Sequence, residues 1–104
     1  MEKSEALDRL AWCVPRALLD EVTPDLVSVA AGVEGTEIRL LFYFDRPITE
    51  DDVETASVVG TEVTADFTTE PGWMVEEACY DIHEHPEDPL DIVAYKRRPQ
   101  TPFE

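Results

Sequence analysis

FYFDRPITEDDVETASVVGTEVTADF, residues 42–67, is the stretch on which the fold turns. It opens as an aromatic strand and turns at Pro47. It then passes six carboxylates without one Lys or Arg. Thr49 followed by Asp52 matches a capping box with Asp in place of the usual Glu or Gln, and Glu50 and Asp51 favour the positive end of a helix. At helical spacing Val53, Ala56, Gly60, Val63 and Phe67 form one stripe, flanked by Val59 and Thr64, while Asp51, Glu54, Glu62 and Asp66 fall on the far side. Composition argues the other way, because Thr55, Val58, Val59, Thr61, Val63 and Thr64 are β-branched and favour strand. Cap, stripe and charged back face agree with one another, so the reading is a helix over 49–67. Gly60 costs about 1 kcal/mol there relative to Ala; on the buried stripe it lets the helix lie close to a sheet.

Upstream, Thr36–Asp45 alternates Ile38, Leu40, Phe42 and Phe44 on one face with Glu37, Arg39, Leu41, Tyr43 and Asp45 on the other. Leu26–Val33 alternates Val27, Val29, Ala31 and Val33, and Gly32 to Gly35 supplies a turn, which predicts an antiparallel hairpin. Leu41 and Tyr43 make its second face partly apolar, which places them under a helix end or at a contact surface. Residues 4–19 place Leu7, Leu10, Ala11, Val14, Ala17 and Leu18 on a helical stripe with Ser4 as N-cap. Pro15 falls inside that pattern and predicts a kink or two abutting pieces. Trp12 lies nearly opposite the stripe, where it is either covered by the tail or a loop, or left for a partner.

Downstream, Pro71-Gly72 reads as a turn. Trp73–His83 reads as a strand with Met74, Ala78, Tyr80 and Ile82 on one face and Val75, Glu77, Cys79, Asp81 and His83 on the other. HEHPEDP reads as a loop, and Leu90–Arg97 as a last strand. The expected fold is α+β with order α-β-β-α-β-β: a four-stranded antiparallel sheet with two helices on one face. All 104 residues make one domain, ordered over about 4–98, with a flexible tail at 99–104.

Hydrophobic residues at 43% are enough for a packed core, although 31% of the chain is charged. No apolar run approaches the roughly 20 residues of a membrane span, and the charged N-terminus has no signal-peptide core. A cytoplasmic protein is expected, with Cys13 and Cys79 as reduced, buried thiols. The net charge of −16 is unevenly placed: from Pro47 to Tyr95 there are fourteen acids and no Lys or Arg. Such a block repels nucleic acid and anionic membranes, which leaves a basic protein partner or solubility alone.

Chemistry-bearing patterns are few. His83-x-His85 with Asp81 is a start on a metal site, and Cys79 lies on the same strand face, but no further ligand has defined spacing. The many carboxylates are not placed in a cleft, there is no Gly-rich phosphate loop, and neither TEDDVE nor HPEDPLD has calcium-loop spacing. The expectation is therefore a non-enzymatic protein with no cofactor and no metal.

The segment F-Y-F-D-x-P-I-T-E-x-D followed by T-E-V-x-A-D-F resembles a pattern of small acidic bacterial immunity proteins of contact-dependent inhibition and related polymorphic toxin systems. Phe42, Tyr43, Phe44, Asp45, Pro47, Ile48, Thr49, Glu50 and Asp52 carry it, then Thr61, Glu62, Val63, Ala65, Asp66 and Phe67; VAYKR at 93–97 fits less specifically. The resemblance implies a cytoplasmic protein that binds a toxin domain and blocks it. Joined to the charge pattern, it points to a basic partner of the nuclease kind. The residues expected to meet it are Asp51, Glu54, Glu62 and Asp66, with Glu84, Glu87 and Asp88 in the loop. Tyr43, Trp12 or Trp73 would be the aromatic anchor. The alternatives are a nucleic-acid mimic that occupies a DNA- or RNA-binding groove, and a small enzyme or metal protein using His83, His85 and Cys79.

Overall fold

Within residues 1–67 and 72–97, which the computed structural model describes, the chain runs α1 (Lys3–Ala17), β1 (Leu26–Glu34), β2 (Glu37–Phe44), α2 (Glu50–Ala65), β3 (Met74–Asp81) and β4 (Ile92–Lys96). The element order is the one expected. Pro71 and the tail 99–104 lie outside the described residues.

α2 begins as its sequence dictates. Thr49 is extended, at φ −108° and ψ 168°, and its hydroxyl accepts from the Asp52 amide while the Asp52 carboxylate accepts from the Thr49 amide. This is the reciprocal capping box. It turns the chain off β2 and starts the crossover that corrects the expected sheet. The sheet order is β3-β2-β1-β4, and β2 pairs with β3 in parallel, from Glu37 opposite Met74 to Phe44 opposite Asp81. The other two pairings, β1 with β2 and β1 with β4, are antiparallel. The sheet is therefore mixed. A helix between two strands carries the chain back to the end where the first strand began, which is the geometry a parallel neighbour requires.

Both helices lie on one face of the sheet, as expected. Ala6, Leu10, Cys13, Val14 and Ala17 of α1 and Ala56, Val59 and Val63 of α2 enclose Val29, Ala31, Val33, Ile38, Leu40, Phe42 and Phe44 in one core. Each stripe is rotated slightly from its sequence reading. Ala11 is exposed and Leu7 only half-buried, whereas Val53 is 56% exposed and Asp52 and Val59 face inward. α1 is one helix through Pro15, not two abutting pieces, and only Arg16 and Ala17 follow the proline. So late a proline costs one ladder bond in a turn whose last carbonyls are already shared. Glu2, not Ser4, occupies the N-cap position.

Gly60 meets β3 as anticipated. The Glu77 carboxylate fills the place where a Cβ on Gly60 would stand, with Glu77 Cδ 2.9 Å from it. On the opposite sheet face Ala30, Leu41 and Tyr43 form a second cluster with Ala78, Tyr80, Ile82 and Leu90. A bulge at Leu26/Ser28 turns Ser28 into that face and leaves Val27 half-exposed. Leu41 and Tyr43 are therefore covered by the loop between β3 and β4, not by the helix end or contact surface expected.

Candidate functional site

Asp52 apart, α2 presents its acids on the side away from the sheet. Asp51, Glu54 and Glu62 are exposed, and no ion pair reaches them among the described residues. At spacings of three, four and four residues, Asp51, Glu54, Val58 and Glu62 form one ridge. Val58 is 42% exposed. Glu21, in the turn after α1, lines the same shallow depression as Asp51, Glu54, Thr55 and Val58. The ridge is thus apolar at its middle and anionic around it. The composition that leans α2 toward strand also supplies this exposed valine; Val58 and Glu21 were not singled out from sequence.

Asp66, the fourth predicted acid of this helix, has a different task. Arg16 Nη2 donates to both its carboxylate oxygens, at 2.8 and 2.7 Å, and Arg9 Nη1 donates to its carbonyl at 3.0 Å. Both arginines come from α1, so Asp66 ties the two helices together at the end of α2. The Arg16 guanidinium also lies 4.3 Å from the centre of the Trp12 ring. Trp12 nevertheless remains 62% exposed, in a groove with Glu5, Asp8, Arg9 and Asp66.

The loop acids stand on the other side of the molecule. The Asp88 amide donates to the Tyr43 hydroxyl at 2.9 Å, and the Ser28 hydroxyl donates to Glu87 at 2.5 Å. Lys96 Nζ pairs with Glu87 at 3.0 Å. The hydrogen bond from Ser28, helped by Lys96, holds the Glu87 carboxyl below the usual carboxylate range. Glu87 and Asp88 thereby fasten the loop over Tyr43, which is 1% exposed and stacks on Tyr80 at 5.7 Å. Tyr43 is therefore an anchor for the loop and offers no ring to solvent. Glu84 is exposed, without an ion pair among the described residues. Trp73 is half-buried with its ring 5.5 Å from Phe67. The predicted acids therefore divide between two opposite faces, and only Asp51, Glu54 and Glu62 form an unpaired set with an apolar centre.

Cations from outside the acidic block reach into it. Arg46 grips Asp52, Arg16 grips Asp66, Lys3 lies 3.3 Å from Asp91, and Lys96 holds Glu87. The block holds no cation of its own, so these four acids are paired only through the fold, and the α2 ridge is not paired among the described residues. Glu77 is the contrary case: burial under α2 pushes its carboxyl above the usual range, and no cation compensates among the described residues.

The His83, His85 and Cys79 alternative does not assemble. His83 Nε2 lies 2.8 Å from Asp45, and His85 packs on Tyr80 at 5.0 Å. Cys79 points to the helical side, with its Sγ 3.7 Å from the Asp52 carbonyl. Among the described residues no three His, Cys, Asp or Glu side chains converge as a metal site would need. Both cysteines are free, and burial pushes each thiol up to about 11, away from thiolate chemistry.

The described chain is thus an α+β domain whose outer helix face carries an acidic ridge with no ion pair among the described residues. The family comparison specifies its class. The model of the MafI2 immunity protein matches residues 8–98, and the chain belongs to that family. Its toxin-neutralising class follows from that membership. A search of the curated proteins gives no match.

Proposed function

We propose that this immunity protein neutralises a basic toxin, of the nuclease kind, by laying the outer side of α2 against the toxin's cationic surface. The observation that carries the reading is the ridge of Asp51, Glu54 and Glu62 around exposed Val58, with no cation paired to any of the three among the described residues. Carboxylates crowded on one helix repel each other and lower the stability of the free protein. An external cationic surface turns that cost into attraction. A nuclease must present cations to hold a phosphate backbone, so an acidic ridge is the complement of its substrate site. Steering by such a ridge raises association rates by about 10–1,000-fold and weakens as salt rises. Val58 supplies apolar area at the centre, where binding energy concentrates.

The test is a titration of the cognate toxin domain with the purified protein at several salt concentrations, reading toxin activity and association rate together. Stoichiometric inhibition with an on-rate that falls as salt rises supports the reading. Inhibition with a salt-independent on-rate removes the acidic ridge from recognition.

A further inference from the structure

The outer face of α1 carries a second feature that the α2 ridge does not use. Glu5, Asp8, Trp12 and Arg16 succeed one another at helical spacing, and Trp12 keeps 62% of its surface in solvent. A tryptophan left out of a core is a large apolar area at risk, and Trp is among the residues enriched where partners bind most tightly. The charges around it are unequally committed. Arg16 is spent on Asp66 and on one side of the indole, and Arg9 is held by the Asp66 carbonyl and lies 5.2 Å from the Phe67 ring centre. Glu5 and Asp8 have no ion pair among the described residues. The shallow surface groove of Glu5, Asp8, Arg9, Trp12 and Asp66 therefore carries an exposed aromatic ring and a net demand for positive charge.

We infer that this groove receives an arginine side chain of the toxin, stacked on the Trp12 indole and paired with Glu5 and Asp8. A guanidinium is flat and weakly hydrated, stacks on an aromatic face, and presents a fork of donors to carboxylates. An ammonium satisfies the charge but not the stacking. Arg16, already on the indole at 4.3 Å, shows the pairing the groove favours. The inference rests on the acidic-face reading for the identity of the partner, while the contact itself is separate from the α2 ridge.

The test uses the intact protein, isotope-labelled, with tetra-arginine and tetra-lysine peptides as probes at physiological salt. The Trp12 indole N–H and the Asp8 amide resonances are followed by NMR. The arginine peptide is expected to move both and to bind about 2–5-fold more tightly than the lysine peptide. Trp12→Leu keeps the apolar area and removes the π-face, so it brings the two peptides to equal affinity. Equal affinities in the unaltered protein, or a Trp12 indole that neither peptide moves, overturn the inference. Shifts confined to Glu54 and Glu62 reject the groove and leave the α2 ridge standing. Trp12 shifts alongside a toxin on-rate insensitive to charge reversal on α2 reject the ridge and leave the groove.

Discussion

Arg46 holds Asp52 through both ends of its guanidinium, with Nη1 2.5 Å from one carboxylate oxygen and Nη2 3.0 Å from the other. Asp52 is 5% exposed and also accepts from the Thr49 amide. The chain two residues beyond β2 and the first turn of α2 are thereby locked together. Removing one partner leaves a desolvated carboxylate. Because Arg46 is partly exposed, the loss is smaller than for a fully buried pair. Arg46→Met is expected to lower the midpoint of denaturant unfolding, because it leaves Asp52 buried without its cation, and Thr49→Ala to cost about 1 kcal/mol. An Arg46→Met variant as stable as the parent would show that the pair contributes nothing net.

Acid should act in two stages. Hydrogen bonds from Arg46 hold Asp52 low, the Ser28 hydroxyl does so for Glu87, and the Val33 amide for Asp91. A carboxyl lowered on folding stabilises the protein above its unfolded value, and that contribution disappears as pH falls through the folded one. These contributions are therefore lost below about pH 4. Glu77 has the opposite sign, since burial raises it; its protonation, together with relief of the net negative charge, favours the folded state first. The melting temperature is expected to rise from pH 7 to about 5 and to fall below about 4. Glu77→Gln should stabilise the protein at pH 7 and shrink that rise, as thermal melts across pH would record.

Gly60→Ala sets two effects against each other. Alanine gains about 1 kcal/mol of helix propensity, but its methyl displaces the Glu77 carboxylate. The displaced group is the end of a flexible side chain that burial already disfavours. The net change is expected within about 1 kcal/mol of zero, with the Glu77 titration moving back toward its ordinary value. Large destabilisation without a change in that titration would mean that the helix backbone, not the carboxylate, gives way.

Tyr43→Phe removes the acceptor of the Asp88 amide and leaves the ring stacked on Tyr80. A loss of about 1 kcal/mol is expected, felt first in the loop that the hydroxyl fastens. Hydrogen exchange at Asp88 should quicken while the amides of β1 and β2 remain protected. Unchanged exchange at Asp88 would show that Glu87 and Leu90 suffice to hold the loop.

What was legible in the sequence was what short spacing encodes. Thr49 and Asp52 announce the cap of α2 within four residues, and Ile38 to Phe44 announce a strand buried on one face. The parallel pairing of β2 with β3 is set by where α2 returns the chain, a long-range outcome that alternation in Met74–Asp81 cannot express. A helix joining two strands was its one local sign. Val53 falls outside the buried stripe because a stripe read at 100° per residue tolerates a rotation that only the packing of α2 on the sheet fixes. Tyr43 looked like an available anchor because no periodic pattern shows that a loop more than forty residues later lies across it. The division of the acids has the same origin: Arg16 reaches Asp66 and Lys96 reaches Glu87 through the fold, not along the chain.

The most direct test of the central claim is the association rate of the protein with its cognate toxin after Glu54→Lys and Glu62→Lys are made together. Both side chains are exposed and unpaired among the described residues, so unfolding free energy should stay within about 0.5 kcal/mol of the parent. The account predicts an on-rate at least about 10-fold slower at low salt, with the difference narrowing as salt rises. An on-rate equal to the parent's, with stability preserved, would contradict it.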